Sequence, residues 1–335
     1  MAAPLVVAAC ALPVADEGDR AAGVATAPPR VSPIFRFTTD RFWLNLHHYL
    51  YVLGRAEMGA PDARRRAVAG APADQERGLA ALTGEQRRIW GEAVAFYAAG
   101  PSKLDTVFDR EIVAATHAVA GATGPSLDGV ELAPELKRTL VRAAPIYRAA
   151  FWPAHRRANE ARVEDFRSQV ERHGEEILSL ITGWYQQAWP AGGFPVHLSA
   201  FTNWAGAYST SGNLLVVSSL DPELAGSLGL ETIFHEAMHQ WDDAVGAALA
   251  AAARAEGTNV PRSLSHAMIF YTAGEAARRA VPGHVPYAER SGVWRRRSGV
   301  FLPALQAAWQ PYLDGKVTRE AALEELVRLA GAAVR

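Results

Sequence analysis

The sequence is poor in cysteine, in excess charge of either sign and in long apolar runs. Its 335 residues contain one cysteine, Cys10, so no disulfide can form within the chain. The formal net charge is −1 and no polybasic run occurs, which argues against nucleic acid or an anionic membrane surface as the partner. Beyond the N-terminal region no stretch has eighteen uninterrupted apolar residues, so we expect no transmembrane helix in the body of the chain.

The region around Cys10 is a short run of small and apolar residues. Leu5-Val-Val-Ala-Ala-Cys10 resembles the signal of bacterial lipoproteins, in which small residues precede a lipidated cysteine. The residues before it include no Lys or Arg, which a signal peptide normally carries. We expect an exported protein, either a periplasmic or cell-envelope lipoprotein anchored at Cys10 or a secreted protein. A cytoplasmic protein is the alternative if this segment is not a signal.

The remaining composition is that of a globular protein, with 49% hydrophobic and 21% charged residues. Ala, Leu and Arg dominate stretches with helical periodicity, which predicts a mainly α protein with a small β-sheet, of the α+β class. Helices are expected at 41–53, opened by a cap at 38–40, at 83–100, opened by a capping box, and at 105–119, 134–144, 153–184, 301–312 and 318–329.

A His-Glu-x-x-His motif begins at His235. On a helix, His235 and His239 lie four residues apart, so both imidazoles project from one face, about one turn apart. Two neutral imidazoles in this arrangement can bind one Zn²⁺. Glu236 follows the first histidine and comes round beside the metal, where it can act as a general base toward a metal-activated water. The alternative is an amphipathic helix with two hydrogen-bonded histidines.

A small sheet is predicted immediately before this helix. The segments 196–202 and 214–219 have the apolar and β-branched character of strands, and 203–213 is a turn-rich connection. A sheet followed by a His-Glu-x-x-His helix resembles the zincin metallopeptidases. That resemblance implies that an edge strand, at 206–211 or 214–219, borders the cleft and pairs with an extended peptide.

A catalytic zinc needs a third protein ligand, and the metzincin Gly-x-x-His extension is absent after His239. The candidates are Asp242, Asp243, His266 and Glu275. We choose Glu275, because the helix predicted over 263–279 is long enough to cross the active-site helix. Gly274 costs about 1 kcal/mol in a helix interior, and close approach of two helices at a metal site would compensate.

A glutamate on a second helix resembles the gluzincins, although the Asn-Glu-x-x-Ser-Asp pattern of thermolysin-like members is missing. The alternative for Glu275 is a solvated residue paired with Arg278 or Arg279. Asp242 is interpreted as a carboxylate that orients a ligand histidine, or as a cap after the helix.

Three side chains are candidates for stabilising an oxyanion near the metal: His266, Tyr271 and Tyr287. In gluzincins a His or Tyr has this role. Tyr271 lies one turn before Glu275 and shares its face, whereas His266 lies two and a half turns before Glu275.

Three further histidines lie in predicted helices. His47 and His48 are adjacent and point about 100° apart, so they cannot both face one site. His155 and Asn159 share a helix face, where they either line a pocket or hydrogen-bond to each other.

The predicted organisation places a zincin-like core inside a helical protein. We expect a signal-like segment and linker at 1–33, a helical domain at 34–189, the metal-binding core at 190–282 and a helical segment packing on it at 283–335. The predicted function is zinc-dependent hydrolysis, of a peptide in a metallopeptidase or of a small amide in a zinc amidase. A non-catalytic binding or scaffold protein of the cell envelope is the remaining alternative.

Overall fold

A computed structural model describes residues 33–60 and 72–334, so Cys10 and the linker before Pro33 lie outside the described residues. The protein is mostly helical with a four-stranded mixed sheet, which confirms the predicted α+β class. No helix within 33–60 and 72–334 has the length and apolar character needed to cross a bilayer. The strands are β1 (Phe35–Thr38), β2 (Phe194–Ser199), β3 (Ala207–Thr210) and β4 (Leu214–Ser218).

Ten longer helices carry most of the described chain, and one of them contains the His-Glu-x-x-His motif. They are α1 (Phe42–Glu57), α2 (Pro72–Ala80), α3 (Gly84–Ala99), α4 (Arg110–Gly121), α5 (Pro134–Ala150), α6 (Trp152–Tyr185), α7 (Gly226–Met238), α8 (Asp242–Ala255), α9 (Leu264–Ala280) and α10 (Arg319–Ala333).

The sheet has the order β1-β2-β4-β3, in which the first three strands are parallel and β3 is antiparallel to β4. Because side chains alternate along a strand, each strand contributes to both faces. Val196, Leu215 and Val217 pack into a core with α6, α7 and α9, whereas Val216 and Tyr208 pack into a second core with α1, α3 and α5. The His-Glu-x-x-His motif, which begins on α7, therefore lies on the face of the sheet that carries Val196, Leu215 and Val217.

One predicted helix cap and one predicted helix start are wrong, each for a local reason. Thr38 does not cap α1, because it belongs to β1 and pairs with His197 of β2. α1 begins at Phe42, and its N-cap residue makes no side-chain capping bond. The helix expected from residue 105 begins at Arg110, because the Asp105 carboxylate accepts hydrogen bonds from the amides of Val107 and Phe108 and forms a turn instead.

Two other predicted features are confirmed, and one predicted helix is interrupted. Thr83 and Gln86 form the predicted capping box of α3, with both reciprocal hydrogen bonds present. Pro153 lies in the first turn of α6, as expected. The helix expected at 301–312 is interrupted: a π-helical turn at Leu305–Trp309 precedes Pro311, which has no N–H with which to continue the α-helical ladder.

Arg162 of α6 fixes the connection between β4 and α7. Its guanidinium donates to the carbonyl oxygens of Ser219, Asp221 (2.9 Å) and Leu224 (2.9 Å). Asp165, one turn further along α6, pairs with Arg162 and accepts the amide hydrogen of Gly226, the first residue of α7. The start of the motif helix is thus attached to the longest helix of the protein.

Candidate metal centre

The structure brings three histidines together at one end of α7. One ring nitrogen from each of His235, His239 and His266 lies within 4.8 Å of the corresponding nitrogens of the other two. The distances between ring centroids are 5.3 Å, 5.4 Å and 5.1 Å, so the three imidazoles form a nearly equilateral triangle. The predicted pairing of His235 with His239 is confirmed, and the group is close enough to hold a metal ion.

The third member of this cluster is His266, on α9, and not Glu275. Nine residues separate the two, which is two and a half helical turns, so they lie on opposite faces of α9. Glu275 is outside the histidine cluster and forms an ion pair with Arg278, at 3.5 Å. A second helix does supply the third side chain, as expected, but that side chain is an imidazole instead of a carboxylate.

A close approach is present at Gly274, as expected, but the residues that meet there are not members of the histidine cluster. A Cβ at Gly274 would lie 2.8 Å from Cβ of Pro286 and 3.4 Å from Oε1 of Glu231, on α7. Gly274 is therefore needed where the segment that follows α9 packs against that helix at Pro286, whereas the contact with Glu231 would tolerate a Cβ.

The protonation states of the three imidazoles differ with their surroundings. Burial, and after it the neighbouring histidines, hold the pKa of His235 well below its usual range. Burial of the His266 ring and the nearby His239 lower the pKa of His266 to about 4, although the residue as a whole is exposed. Burial opposes protonation of His239 too, but its hydrogen bond to Asp242 and the charge of Glu236 outweigh burial and raise its pKa. Metal binding needs the neutral form, which His235 and His266 therefore have at neutral pH.

The donor set fits a metal ion. His235 is buried, and among the described residues its Nδ1 has no hydrogen-bond partner. His239 is half-buried and donates from Nδ1 to Asp242 Oδ2 at 2.9 Å, which leaves Nε2 available as a ligand. The cluster grades from buried His235 to exposed His266, so one side faces solvent, as a catalytic site with an open position requires. Asp242 has the orienting position predicted from the sequence.

Glu236 lies beside the cluster and is held by the sheet. Ser209 Oγ, on β3, donates to Glu236 Oε2 at 2.9 Å. Burial raises the pKa of this carboxyl, while His239 and the hydrogen bonds from Ser209 oppose the rise. β3 is one of the two edge strands of the sheet and carries Ser209, so of the two predicted edge segments it is 206–211 that borders the site.

The two tyrosines predicted to stabilise an oxyanion have different positions. Tyr271 donates its hydroxyl hydrogen to Gln310 Oε1 at 2.7 Å and lines a pocket with Glu275, so it lies on the face of α9 away from His266. The Tyr287 ring stacks on Phe270 with a centroid distance of 6.4 Å, and Phe270 in turn lies 4.2 Å from His235. Of the two tyrosines, therefore, only Tyr287 lies next to the cluster, and it contacts Phe270 and not a histidine.

A buried carboxylate that was not anticipated fixes the segment carrying Tyr287. Glu231, only 2% exposed, accepts hydrogen bonds from His284 Nε2 at 2.7 Å and from the amide of Tyr287 at 2.8 Å. His284 Nδ1 is 2.9 Å from Ser227 Oγ. The available sequence signal was that Glu231 lies one turn before His235 on the same face of α7. Ser209 itself gives no such signal, because it lies in a turn-rich segment in which only the resemblance to zincins suggests an edge strand.

His47, His48 and His155 are buried beside tyrosines of the second core. His47 contacts the Tyr97 hydroxyl, His48 that of Tyr208 and His155 that of Tyr147. His155 and Asn159 do not bond to each other.

Asn159 belongs instead to a polar network that joins α1, α6 and the sheet. Its amide donates to Asn45 Oδ1 at 3.1 Å and its oxygen accepts from Ser219 Oγ at 2.7 Å. The Asn45 oxygen also accepts the amide hydrogen of Ala200, just after β2.

Comparison of the chain with protein-family models, with curated proteins and with solved structures finds no match.

Proposed function

We propose that this protein is a zinc-dependent hydrolase of the peptidase type, with His235, His239 and His266 as the metal ligands. The observation that carries the proposal is the place of Glu236. Its carboxylate lies between the histidine pair and the edge strand, and Ser209 fixes one of its oxygens. A metal site that serves only structure needs no carboxylate base beside it and no face open to solvent.

Three imidazoles with one open side suit Zn²⁺. Bound there, zinc would act as a Lewis acid toward a carbonyl oxygen and would activate water. The chain supplies the other requirements of this chemistry. Asp242 holds His239 in one tautomer, and Phe270 packs on the rings of His235 and His266, with centroid distances of 4.2 Å and 4.7 Å.

Glu236 is the proton carrier in this proposal. The hydroxyl and the backbone of Ser209 hold the Glu236 carboxylate in place, where it takes a proton from water and later delivers it to the leaving amine. Burial raises the pKa of the carboxyl above its ordinary value, which makes it a stronger base than an exposed glutamate would be.

The edge strand supports a peptide as the substrate. β3 pairs with β4 on one side, and its other side has no partner strand within 33–60 and 72–334. Free backbone N–H and C=O groups on such an edge can pair with an extended chain. Ser209 belongs to this strand, so a peptide bound along β3 would lie next to Glu236. Tyr287 is the remaining candidate for stabilising the oxyanion.

The test uses metal analysis and hydrolysis together. Purified wild type is expected to contain about one zinc per chain and to cleave internally quenched peptides. Glu236→Gln should keep the zinc and lose at least about 100-fold in kcat, because the amide cannot accept the proton. Glu256→Gln, an exposed glutamate after α8, is the matched control. Wild-type turnover in Glu236→Gln, or the absence of metal from wild type grown with zinc, would refute the proposal.

A further inference from the structure

The face of α9 that points away from His266 borders a separate pocket. Tyr271, Glu275 and Arg278 follow one another at helical spacing along this face, and all three line the pocket. Phe270 lines it too, although the same ring also packs on His235 and His266. One aromatic ring therefore separates this pocket from the histidine cluster.

The charges at the pocket do not balance. Glu275 is largely buried, with a side chain 13% exposed, whereas Arg278 and Glu289 are about half exposed. Arg278 is the one cation among the lining residues, and it is shared between two carboxylates. Its Nη2 makes a close contact with Glu289, while its Nε lies 3.5 Å from Glu275. One negative charge is thus left over, and Glu275 is the carboxylate with unused acceptor capacity.

The aromatic walls of the pocket, like its excess negative charge, suit a cationic ligand. Tyr271 and Trp294 lie at 59° to each other with a centroid distance of 6.4 Å, and both line the pocket. Aromatic faces attract guanidinium and ammonium groups within about 6 Å. Burial, and after it the negative charge of Glu275, raise the pKa of the Tyr271 hydroxyl to about 12.

We propose that this pocket binds a side-chain-sized organic cation, such as the guanidinium of an arginine residue, which packs on the aromatic wall formed by Tyr271 and Trp294 and pairs with Glu275. The inference stands on the pocket alone and does not require the hydrolase proposal. It also explains why a carboxylate that is not in the histidine cluster lies in such a closed position.

The experiment is a calorimetric titration of the full chain with Nα-acetyl-arginine amide and, as the neutral match of the same shape, Nα-acetyl-citrulline amide. Wild type is expected to bind the arginine derivative more tightly. Glu275→Gln should weaken that binding roughly 10- to 100-fold and abolish the preference, because it removes a charge-assisted hydrogen bond. Glu160→Gln, an exposed glutamate in an ion pair on α6, is the matched control and should bind as wild type does.

Two further measurements make the outcome decisive. Glu289→Gln should also weaken binding, because Arg278 then has only Glu275 as its partner. Metal content and the thermal unfolding midpoint of Glu275→Gln should match those of wild type. Equal binding of the two probes to wild type, a preference that survives in Glu275→Gln, or loss of metal from that variant would each overturn the proposal.

Discussion

Acid should destabilise this protein through histidines that are buried in the neutral form, and His155 allows the effect to be calculated. The residue is 3% exposed, and burial lowers its pKa from 6.5 to about 3. An imidazole whose pKa is lower in the folded state binds protons more strongly in the unfolded state. Its contribution to stability is therefore complete above pH 6.5 and declines as the pH falls toward 3.

The magnitude follows from the two pKa values. Between pH 7 and pH 5 the unfolded imidazole becomes almost fully protonated, whereas the folded one stays neutral. Protonation of the unfolded state alone then lowers the free energy of unfolding by about 2 kcal/mol. In His155→Gln this part of the pH dependence is absent, although the variant is less stable at every pH because the contact with Tyr147 is altered.

The assay is urea unfolding followed by tryptophan fluorescence at pH 7, 6 and 5, in buffer with a chelator so that metal binding does not contribute. The loss of unfolding free energy between pH 7 and pH 5 should be about 2 kcal/mol smaller in His155→Gln than in wild type. His173→Gln, a half-buried histidine on the same helix, is the control. An equal loss in wild type and in His155→Gln would refute the reasoning.

Three further predictions concern the site. His266→Ala should lose bound metal, whereas Glu275→Ala should keep it, as elemental analysis after dialysis would show. Ser209→Ala should lower kcat by roughly 10-fold in steady-state kinetics, because Glu236 loses the hydroxyl hydrogen bond and keeps only the backbone one from residue 209, while metal content should stay unchanged. Arg162→Met should lower the free energy of unfolding by about 2–4 kcal/mol in urea titrations, because three carbonyl groups of the β4–α7 connection lose their donor.

Each of these predictions can fail separately. Metal retained in His266→Ala but lost in Glu275→Ala would restore the glutamate as third ligand. Unchanged kcat in Ser209→Ala would mean that Glu236 is positioned without the Ser209 hydroxyl. Wild-type stability in Arg162→Met would show that packing, and not these hydrogen bonds, fixes the start of α7.

The part of the site that sequence predicts well is the part that depends on local geometry. Four-residue spacing is enough to place His235 and His239 on one face, and a carboxylate three residues after His239 is within reach of its ring. The capping box of α3 is likewise a matter of neighbouring residues. In each case the interacting groups lie within one helical turn, so tertiary packing has little freedom to change the result.

The third member of the cluster could not be predicted in the same way. The sequence shows that α9 is a helix but not which face it turns toward α7. Glu275 and His266 lie half a turn out of phase, so the choice between them depends on packing. The interpretation of Gly274 as a mark of metal binding at Glu275 is wrong, because the residues that Gly274 accommodates are Pro286 and Glu231.

Strands were predicted less reliably than helices, because their partners are distant in sequence. β1 was missed altogether: Phe35 pairs with Phe194, and a four-residue segment has no periodicity that reveals a parallel neighbour so far away. β3 was anticipated only through the resemblance to zincins, since its own sequence is dominated by small and polar residues. Its exposure on one side relaxes the need for an apolar pattern.

Gly274 determines where the segment after α9 can lie. A methyl group at this position would overlap Cβ of Pro286, at 2.8 Å, whereas Oε1 of Glu231 on α7 would stay at an ordinary contact distance of 3.4 Å. The segment displaced by such a methyl group is the one that carries Tyr287, whose amide donates to Glu231 and whose ring stacks on Phe270. A single hydrogen atom on α9 thus fixes the position of the remaining candidate for stabilising the oxyanion.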